Sequence, residues 1–242
     1  MMQLPRIFVG TMYVKEGDFQ ACVARIQEQE GVVVTHLIRA DMAEKEAHNA
    51  LWHGWREARD NHDLFVKVDA DTVLISNHTL ANIYALFATN PRVTGLQAPL
   101  HDYMTDGLIN GLNAFSPRVT FNDTRDELYC DRQVDTGHDV LLRGAELPAS
   151  LSPAGLHCYH ATDKQAFHFG LHRALKGQHD TIAKVKQAHQ RYHDRTRAFA
   201  LLGAKAAPDF AQHRRFNYGD AEFQVAFGEA TAKYEQHMRS LA

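Results

Sequence analysis

Three times in its first ninety residues the chain passes from a short apolar run into a stretch with helical spacing, and that alternation narrows the fold more than any other feature. Ile7 to Gly10 is apolar and ends at Gly10-Thr11, and Phe19, Cys22, Val23 and Ile26 then recur with the period of a helix. Gly31 stops that helix. Val32-Val33-Val34-Thr35-His36-Leu37-Ile38 is rich in β-branched residues, and Ala43 to Ala58 places Ala47, Leu51 and Trp55 on one helical face. Leu64-Phe65-Val66-Lys67-Val68 reads as a third strand. Asn77 is placed to cap a helix running through Phe87, and Val93 to Ala98 follows the Asn90-Pro91 break as a fourth strand. Strands alternating with helices of this length predict an α/β fold, with a mostly parallel central sheet, right-handed crossovers and flanking helices. Its binding crevice should lie beyond the carboxyl ends of the strands.

The later sequence is less regular. His101 to Ser116 has no clear period, and Leu128 to Arg143 reads as two strands around an Asp135-Thr136-Gly137 turn. From Lys164 the chain is mostly helical, with breaks near Gly203, Pro208 and Gly219. The expected organisation is an α/β domain over residues 1–161 and a helical C-terminal extension over 162–242, packed on it or mediating oligomer or membrane contact.

Charge supports the division. Residues 1–159 carry 13 basic and 21 acidic groups, whereas residues 160–242 carry 13 and 8. The formal net charge of −3 over 242 residues argues against a protein that grips nucleic-acid phosphates. The basic, amphipathic C-terminal helices could instead dock on an anionic membrane leaflet, on the rest of the chain or on a second copy in a homodimer. Three cysteines without a Cys-x-x-Cys spacing disfavour a disulfide framework and fit a reducing cytoplasm. No apolar stretch approaches 18 residues, so the expected location is cytoplasmic, with peripheral contact at the inner face of the membrane as the variant.

The sharpest chemical signal is Lys67-Val68-Asp69-Ala70-Asp71 at the end of the third strand. Alternation in an extended segment puts both carboxylates on one side, where they can hold a divalent cation against a diphosphate. A chain of this composition contains roughly one Asp-x-Asp by chance, so the position beyond a buried strand carries the argument.

At this point the chain resembles the GT-A nucleotide-sugar glycosyltransferases, especially the family 2-like bacterial enzymes, over about residues 4–175. The features are the opening strand with Gly10-Thr11, Glu16 soon after, the Ala47-x-Asn49 helix before the third strand, and the Asp-x-Asp motif itself. The resemblance implies metal-dependent transfer of a sugar from a nucleoside-diphosphate donor to a glycan or lipid-linked acceptor, with Mn²⁺ or Mg²⁺ as cofactor. It implies Asp71 as direct metal ligand, Asp69 on the ribose or a metal-bound water, and Thr11, Tyr13, Glu16 and Asp41 along the nucleotide pocket. It also implies a further metal ligand, often His, from a late loop, for which His157 and His160 are the candidates, with His160 preferred. Imidazole beside carboxylates suits Mn²⁺ better than Mg²⁺.

Lys67 and Arg39 are candidates for phosphate contact. Inverting transfer needs a carboxylate base near the acceptor hydroxyl, and Asp102 and Asp106, in a polar loop after the fourth strand, are the expected suppliers, ahead of Asp135 and Asp139. Arg39-Ala40-Asp41 replaces the family's usual Asp-Asp-x-Ser, and no Gln-x-x-Arg-Trp motif occurs, which disfavours processive synthesis. Trp52 and Trp55 read as core residues, and His168 and His172 share a helical face. Two rivals remain at this level. One is a phosphatase or phosphotransferase of the haloacid dehalogenase type with Asp69 as nucleophile, and the other is a sugar- or metal-binding module without turnover.

Overall fold

The computed structural model describes residues 3–130, 134–136, 139–212 and 217–241. In chain order the elements are β1 (Arg6–Tyr13), α1 (Phe19–Gln27), β2 (Val33–Ala40), α2 (Glu44–Ala58), β3 (Leu64–Lys67), β4 (Thr72–Leu74), α3 (Thr79–Thr89), β5 (Val93–Asp102), β6 (Gly107–Phe115), β7 (Thr120–Phe121), β8 (Val134–Thr136), β9 (Val140–Arg143), β10 (Gly155–His157), α4 (Asp163–Leu175), α5 (His179–Tyr192), α6 (Arg195–Phe210) and α7 (Ala221–Leu241). The chain divides into two compact units: Met1–Tyr103 with Gly107–His160, and Met104–Asp106 with Ala161–Ala242.

The first unit is α/β. Its eight-stranded sheet runs β2-β1-β3-β6-β5-β10-β4, with β9 paired to β5. β1, β2 and β3 are parallel, but β6 runs antiparallel to both β3 and β5. The sheet is therefore mixed, and the irregular stretch expected from His101 to Ser116 contains a full strand. Helices cover both faces, so the central strands are apolar on both sides. Ile7, Val9, Leu64 and Val66 face an aliphatic layer under α1 and α3, while Phe8 and Phe65 face an aromatic layer with Leu51, Trp52 and Trp55 of α2. Trp52 stacks on Phe121 at 4.3 Å between ring centroids. Each such side chain contributes roughly 1.5–3 kcal/mol by leaving water. Gly10 is required in this layer, because a Cβ there would stand 2.9 Å from the Phe65 ring.

Three sequence expectations change. Asn77 does not cap α3; its amide donates to Glu30 and the helix begins after His78. The fourth strand continues to Asp102 instead of ending at Ala98. Val134–Thr136 and Val140–Arg143 do not form a hairpin. The former pairs with Thr120–Phe121 and the latter runs parallel to β5, because long-range partners compete successfully with the local turn.

The second unit is helical. Thr162 caps α4 by accepting the Gln165 N–H, and Asp194 caps α6 by accepting that of Arg197. α4 and α6 pack backbone to backbone at Gly170 and Gly203, where a Cβ would stand 1.7 Å from the Ala200 carbonyl oxygen and 1.9 Å from that of Phe167. Among the described residues no helix is long and apolar enough to cross a membrane.

Candidate functional site

The carboxyl end of β3 opens into a turn. Val68 still donates to the Gly10 carbonyl, continuing the parallel ladder, and Thr72 N–H then closes on the Asp69 carbonyl at 2.9 Å before β4 begins. β4 is antiparallel to β10 with Thr72 opposite His157, and β10 is parallel to β5 with His157 opposite Asp102. Strand register alone thus brings Asp71, His157 and Asp102, distant in sequence, to one place.

There the His157 ring bridges two carboxylates. Nδ1 lies 2.7 Å from Asp102 Oδ1, and Nε2 lies 3.4 Å from Asp71 Oδ1. Asp102 is 0% exposed. The Cys158 thiol stands 3.2 Å from Asp71 Oδ2 and 3.6 Å from His157 Nε2, on a residue held at φ +58° whose N–H donates to the Asp71 carbonyl. The donor atoms of Asp71, His157 and Cys158 all fall within 4.8 Å of one another.

The local field is strongly negative. Burial alone would depress the His157 imidazole, but Asp71, Asp102 and Asp69 push it up to about 9. Glu16 is pushed up to about 7, chiefly by burial, with Asp71 and Asp69 adding to the shift, although its carboxylate also accepts the Val14 N–H at 2.6 Å. Burial, with Asp71 and Asp69, raises the Cys22 thiol to about 12, and burial, with Asp71 and Asp102, raises the Cys158 thiol well above its ordinary value. Asp69 opposes the trend. Burial works against its ionisation, yet the ammonium of Lys67 beside it holds its carboxyl below the ordinary range.

The Asp71 carboxylate and the His157 imidazole at this spacing can hold a divalent cation. The Asp102–His157 bond adds the outer carboxylate that metal-binding histidines commonly use, which fixes the ring and leaves the lone pair on Nε2 of the neutral form.

His160, preferred from the sequence as metal ligand, is not in this group. Its side chain is 79% exposed, its Nδ1 is 2.6 Å from Asp18 Oδ1, and its N–H donates to Asp18 Oδ2. Gly17 packs against the same residue, and a Cβ at 17 would meet the His160 carbonyl oxygen at 1.9 Å. Thr11 is 0% exposed and its hydroxyl pairs with His36 Nε2, so it faces the interior of the sheet rather than a nucleotide. Tyr13 stacks on Phe19 at 3.7 Å. Asp41 is exposed at φ +54°, its N–H bonded to the Tyr13 carbonyl. Lys67 is engaged by Asp69. Asp102 lies in no polar loop; as the buried last residue of β5, tied to His157, it has no route to an acceptor hydroxyl. Asp106 belongs to the helical unit, where its Oδ2 accepts from Arg191 and Tyr192. The side chain of Asp135 lies outside the described residues, and Asp139 pairs with Arg118.

Sequence reasoning missed Cys158 and Asp18. A single cysteine beside a histidine carries no signal of its own, and Asp18 reads as an ordinary helix-start residue.

No family model matches the chain, and no curated protein matches it in sequence. Among solved structures, a mannosyltransferase from Pyrobaculum calidifontis in complex with GDP-Man and Mn²⁺ aligns over 98% of this chain and 83% of its own, at 14% identity and a TM-score of 0.41. A glycosyltransferase involved in glycosylation of the major capsid of PBCV-1 aligns over 46% of this chain and 60% of its own, at 12% identity and a TM-score of 0.32. Likeness at this level carries no argument about activity.

Proposed function

We propose that the chain is a metal-dependent glycosyltransferase of the GT-A kind that moves a sugar from a nucleoside-diphosphate donor to a glycan or lipid-linked acceptor. The observation that carries the reading is Asp71 facing His157 Nε2 at 3.4 Å at the carboxyl end of the sheet, with the ring locked from behind by buried Asp102. Ligands bind at that end of an open α/β sheet.

In this reading Asp71 and His157 would hold the cation. Bound there, a divalent ion supplies neutralisation of the donor diphosphate and of the charge that develops on the departing nucleotide. Asp102 acts one step back: its Oδ1 accepts a hydrogen bond from His157 Nδ1–H and so keeps Nε2 aimed at Asp71. Lys67 keeps Asp69 ionised and oriented beside the same crevice. Glu16, on the loop after β1, borders the donor side, its carboxyl raised chiefly by burial and further by Asp71 and Asp69.

The test is release of nucleoside diphosphate from a panel of nucleotide sugars with Mn²⁺, repeated with excess chelator and with Asp71→Ala. The expected result is turnover that the chelator stops and that the substitution lowers by about 1,000-fold or more, with the circular dichroism spectrum unchanged. Full activity in either case removes the mechanism. Cleavage of simple phosphate esters would instead favour the Asp69-nucleophile phosphatase, and donor binding without turnover a binding module.

A further inference from the structure

A second group of unlike donors lies on α2, among residues the proposed reaction does not use. Glu44 opens the helix, His48 follows one turn later on the same face, and Cys130 comes from the loop beyond β7. Their ligand atoms all lie within 4.8 Å of one another, with His48 2% and Cys130 0% exposed. We propose that Glu44, His48 and Cys130 form a binding site for a thiophilic divalent cation of the zinc class, tying the first turn of α2 to that loop.

The chemistry of the set supports a soft metal. His48 Nδ1 donates to the Glu44 carbonyl at 2.9 Å, so in the neutral ring the lone pair sits on Nε2, and the backbone performs the orienting role that metal-binding histidines require. Around a tetrahedral zinc the donor atoms stand roughly 3.5 Å apart, so closure from the observed spacing needs only side-chain adjustment. One carboxylate and one thiolate balance a doubly charged ion, and sulfur with imidazole selects against Mg²⁺ and Ca²⁺. The Cys130 S–H now points to the Asp126 carbonyl at 3.2 Å; on binding, its proton leaves to solvent and the sulfur takes the ion. Three protein donors leave a fourth position for water.

The scaffold is fixed independently of any ion. The Asn49 side chain both donates to the Thr124 carbonyl and accepts the Thr124 N–H, Lys45 pairs with Glu127, and Asp126 accepts the N–H groups of Leu128 and Tyr129. The loop is thus held where Cys130 meets His48, and ordering entropy is spent before the metal arrives.

The experiment uses the full chain carrying Asp71→Asn and Cys158→Ser, which disables the other donor group. In that background Zn²⁺ is titrated against a chromophoric chelator, and Co²⁺ is added in parallel to read the thiolate charge-transfer band. One equivalent of Zn²⁺ and a Co²⁺ band are expected. Adding Cys130→Ser should abolish the band, and adding Glu44→Gln, at a half-buried helix start where folding is not at stake, should weaken Zn²⁺ at least tenfold. Absence of zinc binding in the background protein, or binding indifferent to both added substitutions, overturns the site. Neither outcome depends on whether the chain transfers sugars.

Discussion

His157 in the sheet unit and His168 in the helical unit are both drawn away from water, yet their imidazoles move in opposite directions. His168 stacks on Tyr218 at 4.6 Å and meets the edge of Phe223 at 5.8 Å; burial, aided by the charge of Lys176, lowers it to about 4. His157 suffers the same desolvation and is pushed up to about 9 by Asp71, Asp102 and Asp69. Enclosure alone expels a charge, whereas enclosure among carboxylates demands one. A packing histidine and a histidine in a cation-seeking site are thus distinguished by their neighbours rather than by their depth. The i,i+4 spacing of His168 and His172, which by itself would suit a metal, belongs with the first kind.

The largest test of this contrast compares two imidazoles on either side of Cys158. His157→Gln should weaken Mn²⁺ binding on the order of 100-fold, whereas His160→Ala, whose ring faces solvent and Asp18, should change it only a few-fold. Titration of Mn²⁺ by electron paramagnetic resonance reads both, and equal effects would dissolve the distinction. Asp102→Asn should come next. It keeps the volume but withdraws the charge behind His157, so Mn²⁺ affinity should fall about tenfold and saturating Mn²⁺ should restore turnover, which removal of a general base would not allow. Normal affinity with loss of turnover alone would restore Asp102 as the base.

The smallest effect lies in the helical unit. The folded pKa of His168, about 4, is below the ordinary 6.5, so the unfolded chain binds more protons between those values. Its contribution to stability is complete above about pH 6.5 and is lost as pH falls toward 4. His168→Phe should flatten that part of the stability curve, measured by urea denaturation at several pH values. A wild-type slope that persists in the variant would mean that His168 is already solvated.

How much of this was written in the sequence depends on the distance over which each feature is encoded. The third strand and its end near Lys67 were legible because they are local properties, whereas Asp69 to Asp71 form a turn closed by the Thr72 N–H and not the extended, alternating segment that the sequence suggests. Glu44 and His48 are likewise one helical turn apart, but Cys130 is fixed only by a loop that Asn49 and Thr124 hold in place. Asp102 was misread for a related reason. The sequence shows β5 weakening near Ala98, and it is pairing with β6 on one side and β10 on the other that extends it to Asp102. The choice between His157 and His160 rests on the β4–β10 register, which no single-chain periodicity contains. The Leu128 to Arg143 hairpin failed in the same way: each half found a partner elsewhere.

Gly17 has no side chain, and the loop that carries it meets the His160 backbone because of that. The backbone following β1 lies flush against the carbonyl of His160, close enough that one added methyl would act as a wedge. The same short loop carries Glu16, whose carboxyl feels Asp71 and Asp69, and Asp18, which holds His160, so a side chain at position 17 would push apart two segments that both border the acidic group.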